Sequence, residues 1–370
     1  MKRVVILCVW LFSVVAGHAQ LSLDECRRLA RENYPEIRQY DLVHQTEQYN
    51  LSNAARAWIP QLAFSAQATW QTDAPNFPKE LTGMLAQQGL EIPGLRKDQY
   101  KVALELNQTI WDGGKSVADK RIARAEAAEQ KTMTDVDLYE LEGRVDDLYF
   151  GILLLDERIA QTNLTLNLLR SNLEKVRALQ RNGVAMQSDA DVLEAELLSV
   201  GQQLIQFESS CDSYRRMLGI FIGQKVGDRK LQRPSAVQPL SGESARPELA
   251  MFAAKIDRLT AQEKMVKSSS MPRLGFFAQG YYGYPGLDYM QGMMNSDWSW
   301  NAMLGVKLSW NFGAYYTQKN NLDKLRTSRQ QVEVQRDVFL FNMNLQAAQE
   351  NGDIARLRKA IADDDRIVAL

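Results

Sequence analysis

Side chains able to do covalent or proton-transfer chemistry are scarce in this chain. It has two histidines and three cysteines in 370 residues. His18 and Cys8 fall in an N-terminal apolar leader, and Cys8 lies too early to be a lipidated cysteine at its cleavage site. That leaves His44, on a polar helical stretch, which reads as a surface histidine. Cys26 and Cys211 could pair in an oxidising compartment, but two cysteines make no disulfide framework. No Cys-x-x-Cys, His-Glu-x-x-His, P-loop or nucleophile-elbow string occurs. "GYYGYPG" from Gly280 is a loop signal and not a phosphate cradle, because no helix start follows it. An enzyme reading therefore finds no constellation, and no cofactor or metal is expected. With 44 basic and 45 acidic residues the chain is near neutral, so no nucleic-acid partner is implied.

Two other groups of residues carry more information. Trp70, Trp111, Tyr281, Tyr282, Tyr284, Trp298, Trp300 and Trp310 all fall in or beside four predicted strands. Indole and phenol rings favour the membrane–water interface, so strands bordered this way suggest an aromatic girdle. The alternative is a soluble sheet core. The second group is "RNGVAMQSDADVLEAE" from Arg181, which separates two helical patterns. Gly183 suits the position just past a helix, and Ser188 or Asp189 can cap the next one. Capping alone would explain these residues. Val184, Ala185 and Met186 are nevertheless apolar at an exposed tip, which favours a contact.

The elements that must position these groups can be read along the chain. "MKR" followed by "VVILCVWLFSVVAG" and "GHA" before Gln20 is a secretory signal peptide over residues 1–19. Its apolar core of about 14 residues is too short to span a bilayer, and no other run approaches 18. Ser22 with Glu25 forms a capping box opening a helix that runs to about Ala57, interrupted near Pro35. Leu62, Phe64, Ala66, Ala68 and Trp70 then alternate with Ala63, Ser65, Gln67, Thr69 and Gln71. That period of two over about ten residues is the length of a transmembrane β-strand. A Pro/Gly-rich loop follows, then a second alternation (Val102, Leu104, Leu106 and Ile110) stopped by Asp112-Gly113-Gly114.

From Leu138 to Val176 apolar residues recur by threes and fours, broken only by Thr162. After Gly183 the pattern resumes from Ala190 to Leu218, with Cys211 at a seam position as a core thiol. Two heptad helices joined at a glycine predict an antiparallel coiled-coil hairpin.

The chain also repeats itself. Pro35–Trp70 aligns without a gap on Pro247–Tyr282, with seven of 36 positions identical. Leu104 and Gly113 match Leu304 and Gly313. This divides the mature chain into a first repeat (20–230), a linker (231–246) and a second repeat (247–370). The second repeat is read as helix, two strands and a long helix from near Tyr315. By the first repeat's spacing its turn would fall near position 383, so its return helix is not in this sequence. Either these 370 residues are a fragment of a longer protein or the chain is truncated.

"LSLDECRRLARENYPEIR", "WIPQLAFSA", "IWDGG", "RNGVAMQSDADVLEAE" and "YRRMLGIFIG" together resemble the TolC-like family of outer-membrane efflux channels, in order along nearly the whole mature chain. The resemblance implies a homotrimer in outer-membrane lipid. Each protomer would give four strands to a 12-stranded β-barrel and long helices to an α-barrel tunnel in the periplasm. It implies passive export in a tripartite efflux or type I secretion assembly, with a periplasmic adaptor and an inner-membrane pump. Adaptor contacts would fall at Gly183, Val184 and Ala185. Two departures stand out: "WNFGA" replaces "WDGG" in the second repeat, and the second tip is missing. The rival reading is a periplasmic coiled-coil adaptor, which the duplication and the amphipathic strands oppose.

Overall fold

The computed structural model describes residues 20–90, 92–234 and 246–369. The expected signal peptide and most of the linker lie outside them. The Ser22 hydroxyl accepts from the Glu25 amide at 3.3 Å and opens α1 (Leu23–Asn33). Tyr34, the residue before Pro35, is extended, as steric conflict with a following proline ring demands. A 3₁₀ turn (Pro35–Arg38) then leads into α2 (Gln39–Arg56).

Four strands follow the expected order: β1 (Gln61–Trp70), β2 (Asp98–Trp111), β3 (Arg273–Tyr284) and β4 (Ser299–Ser309). They form one antiparallel sheet in the order β1-β2-β3-β4, so strands of both repeats share it. Leu62 pairs with Leu106, Leu106 with Ala278, and Ala278 with Leu304. The register slips once, between Thr109 and Trp111, which inserts Ile110 as a bulge. A bulge is one extra residue in one strand. It explains why Leu104 and Leu304 are 200 apart while Trp111 and Trp310 are 199 apart.

Two loop expectations need correction. The Pro/Gly-rich connection between β1 and β2 carries a helix, α3 (Lys79–Gln87), which starts directly after Pro78. "GYYGYPG" is mostly strand: Gly280 to Tyr284 belong to β3, because tyrosine suits a pleated surface, and the chain turns only at Pro285.

The long hairpin consists of α4 (Lys115–Arg181) and α5 (Gln187–Ile222). At about 1.5 Å per residue, α4 is roughly 100 Å long. Leu138, Leu141, Val145, Leu148, Ile152, Leu166 and Leu173 are buried, as are Ala190, Val200, Cys211 and Leu218. Thr162, which breaks the apolar pattern between Leu138 and Val176, is satisfied by donating to the Arg158 carbonyl at 2.7 Å. Arg177 meets Glu194 across the pair at 2.7 Å. Cys211 is a free, buried thiol 3.4 Å from an Asp156 carboxylate oxygen, and Arg215 holds that carboxylate at 2.8 and 3.0 Å. Cys26 and Ala30 of α1 pack into this core with Tyr149 and Ile222. The Tyr149 hydroxyl lies 2.7 Å from both the Leu21 and the Gln232 carbonyl oxygens, beside a parallel bridge between Leu21 and Leu231.

In the second repeat α6 (Pro247–Ser269) precedes β3, a short α7 (Tyr289–Asn295) joins β3 to β4, and α8 (Ala314–Ala369) follows. Phe252 packs on Phe339, and Arg329 reaches Glu263 at 2.7 Å. No helix among the described residues is long and apolar enough to cross a membrane.

Candidate functional site

Alternation gives the sheet two unlike faces. Even-numbered positions present Leu62, Phe64, Leu104, Leu304, Val306 and Leu308, each about half to three-quarters exposed. Such a continuous apolar surface is unusual on a protein surrounded by water. Odd-numbered positions carry Ser65, Gln67, Lys101, Glu105, Asn107, Gln279, Asn301 and Lys307. There the Gln279 amide links Lys101, at 3.2 Å, to Glu105.

Aromatic rings border the apolar face at both ends. At the loop end, Tyr100 stacks on Trp298 with centroids 5.6 Å apart. Tyr282 touches Trp298 at 5.3 Å and Trp300 at 5.0 Å, and Trp70 is exposed nearby in the row of strand ends. At the helix end stand Trp111 and Trp310, the latter 4.7 Å from Phe312 and donating its indole N–H to the Ser270 carbonyl at 3.0 Å. Trp300 and Trp310 are ten residues apart, about 33 Å along a strand at roughly 3.3 Å per residue. Tilted by about 45°, that rise shrinks to about 23 Å, close to the ~25 Å apolar band of outer-membrane barrels.

Tyr281 does not join this set. Its odd position turns it to the polar face, where it is buried with the Lys101 ammonium 4.5 Å from its ring centre. Tyr284 is buried as well. Its hydroxyl accepts from the Arg96 amide at 2.9 Å and donates to the Gly292 carbonyl at 3.2 Å, tying the two outer loops together. Tyr100 and Phe312 were missed in the sequence reading. Tyr100 shares the parity of Val102 and Leu104, which was the available signal.

The hairpin turn is built by its backbone. Gly183 has φ of +74°, a left-handed conformation that costs other residues. The Gly183 amide donates to the Gln180 carbonyl and the Val184 amide to the Leu179 carbonyl, both at 2.9 Å, which is a Schellman closure of α4. A Cβ at Gly183 would meet nothing within 4 Å, so backbone conformation and not space requires glycine there. Met186, and not Ser188 or Asp189, occupies the cap position of α5. The Asp189 carboxylate reaches back to the Met186 amide at 3.0 Å. Val184 and Met186 are left 74% and 73% exposed, with Ala185 half-buried between them.

Asp112 joins β2 to α4. It is buried and accepts from the Gly114 amide at 2.9 Å, the Ser116 amide at 2.7 Å and the Ser116 hydroxyl. Burial pushes its carboxyl up, but these hydrogen bonds outweigh it and hold it below the usual range. Gly113 has φ of +70°, and a Cβ there would lie 2.7 Å from the Met271 Cβ, so both conformation and close approach require glycine. His44 is exposed beside Glu47, as expected of a surface histidine.

These features can be set beside known proteins. The chain's fold resembles that of the outer membrane protein VceC from Vibrio cholerae, at 15% identity and a TM-score of 0.62, covering 86% of this chain and 75% of that one. It resembles the CmeC outer membrane channel of Campylobacter jejuni, at 14% identity and 0.60, covering 86% and 68%. The open state of the MtrE outer membrane channel of Neisseria gonorrhoeae is similar at 15% and 0.54, covering 84% and 68%. No curated protein matches the sequence. A family profile described as outer membrane efflux protein matches residues 27–223, more than half of the chain. With the two-faced sheet and the heptad hairpin, that match identifies the chain as a member of the outer membrane efflux protein family.

Proposed function

We propose that three copies of this chain form a passive export channel through the outer membrane. The observation that carries this reading is the sheet: four strands, an apolar outer face bordered by two aromatic belts, a polar inner face, and two unpaired edges at β1 and β4. An open edge cannot persist in lipid, because its amide and carbonyl groups have no partner there. Joining β4 of one copy to β1 of the next removes every edge, and three copies give twelve strands. Unpartnered apolar residues on the helices support the same assembly. Leu154, Leu164 and Leu168 on α4 and Phe341, Leu345, Leu357 and Ile361 on α8 are all exposed.

In this reading the α4–α5 hairpin lines a periplasmic tunnel. The tip at Gly183, Val184 and Ala185, held by Asp189 and followed by Ser188, receives a periplasmic adaptor that links the channel to an inner-membrane pump. The exposed Val184 and Met186 side chains supply apolar contact, and the rigid glycine turn fixes their positions. The channel does no chemistry of its own. The test is fractionation with alkaline extraction, followed by cross-linking. Recovery in the outer-membrane pellet as an alkali-resistant trimer is expected. Release into the soluble periplasmic fraction would exclude a barrel and favour a peripheral coiled-coil protein.

A further inference from the structure

The polar face of the sheet carries an unbalanced charge. Its charged positions are Lys101, Glu105, Arg273 and Lys307, three cations against one carboxylate. Lys101 and Glu105 compensate each other through Gln279. Arg273 and Lys307 have no carboxylate partner among the described residues. Arg273 and Lys307 line one hollow of about 710 Å³ together with Glu105, Asn107, Phe277 and Gln279. Two other carboxylates line the same hollow: Asp119 is paired with Lys115 at 2.7 Å, and Asp112 is buried and turned to the Gly114 and Ser116 amides at the start of α4, whose partial positive charge it meets. Lys307 pairs across the β3–β4 ladder with Gly275, which in turn pairs with Thr109. A glycine and a threonine offer no charge to offset the ammonium.

We propose that Arg273 and Lys307 make the inner wall of the barrel, at its helix end, selective for anionic solutes: those bearing carboxylate, phosphate or sulfonate groups. This rests on the channel reading, since it takes the polar face as the lumen. In a closed trimer the pair repeats three times around a water-filled bore with low-dielectric walls. Charges of one sign in such a cleft focus the field and concentrate counter-ions. Salt screens the effect, with a Debye length of about 10 Å at 0.1 M.

The experiment is reversal-potential measurement on the full chain reconstituted in planar bilayers under a potassium chloride gradient at low ionic strength. The wild type is expected to pass chloride over potassium. R273Q/K307Q is expected to lower that permeability ratio on the order of two-fold or more. E105Q is expected to raise it, and a misfolded barrel cannot produce that opposite shift. Channels that prefer potassium, or a ratio that neither variant moves, would overturn the assignment while leaving the channel reading intact. Absence of any conductance would overturn the channel reading, and the assignment with it.

Discussion

At the scale of single residues, the structure assigns jobs that are mostly mechanical. Asp112 caps the longest helix from a buried position. Replacing it with alanine is expected to cost about 1–2 kcal/mol, the usual loss for such a cap. The sign of its pH dependence follows from its depressed carboxyl. As pH falls below about 4, the unfolded chain takes up the proton first. Stability is therefore full above that value and lost as pH drops through the lower folded-state value. Thermal denaturation between pH 7 and pH 3 should show this loss, and D112N should flatten it. Cys26 has the opposite character. Burial first, and then the neighbouring Glu25 carboxylate, push its thiol up to about 12. The thiol form is favoured in the fold, so its contribution is present below about pH 8.5 and declines as pH rises toward 12. Native protein at about pH 8.5 is expected to resist alkylation at Cys26 and to label only on unfolding, as mass spectrometry would read.

Elements are decided by seams and ends. Ile152 is fully buried where α4 meets α1 and α5, so I152A is expected to lose about 2–5 kcal/mol. Leu164 is 71% exposed in the protomer. L164A should therefore leave the isolated protomer's denaturation unchanged and weaken only the assembled trimer, which separates the inner seam from an intersubunit one. At the tip, G183A is expected to cost about 1–2 kcal/mol for the left-handed backbone alone, since nothing crowds the position. V184D/M186D should keep helicity by circular dichroism and lose cross-linking to a co-expressed adaptor. Retained cross-linking would move the contact elsewhere on the hairpin. The heptads, the Ser22 cap and the glycine turn were readable in advance because each is a local pattern. The expected capping box is only half formed, however: the Glu25 carboxylate is held by Arg28 and not by the Ser22 amide. The α3 helix was not, since nine residues between prolines hold too few turns for a visible period.

For the whole molecule, the sheet's two faces set what each substitution does. A charge on the lipid side of a barrel costs about 2–4 kcal/mol near the bilayer midplane. L304R on the even face is expected to reduce heat-resistant trimer in outer-membrane extracts, and in the proposed trimer the substitution is present three times. Q67R on the odd face should assemble normally. Equal damage by both would mean that the polar face does not line a lumen.

The sequence by itself determined the duplication, the four strands with their inside–outside alternation, and the two-helix hairpin with its turn at Gly183. These follow from periods of two and of three to four residues and from backbone conformations that only certain residues tolerate, all of which are local. Tertiary structure decided what depends on partners distant in sequence. It put both repeats into one sheet, placed Ile110 in a bulge, and set the Lys101 ammonium over the Tyr281 ring. It made Met186 the cap with Asp189 reaching back. It also left Arg273 and Lys307 without an ion-pair partner among the described residues, which no spacing could reveal, because pairing depends on which carboxylates the fold brings within reach.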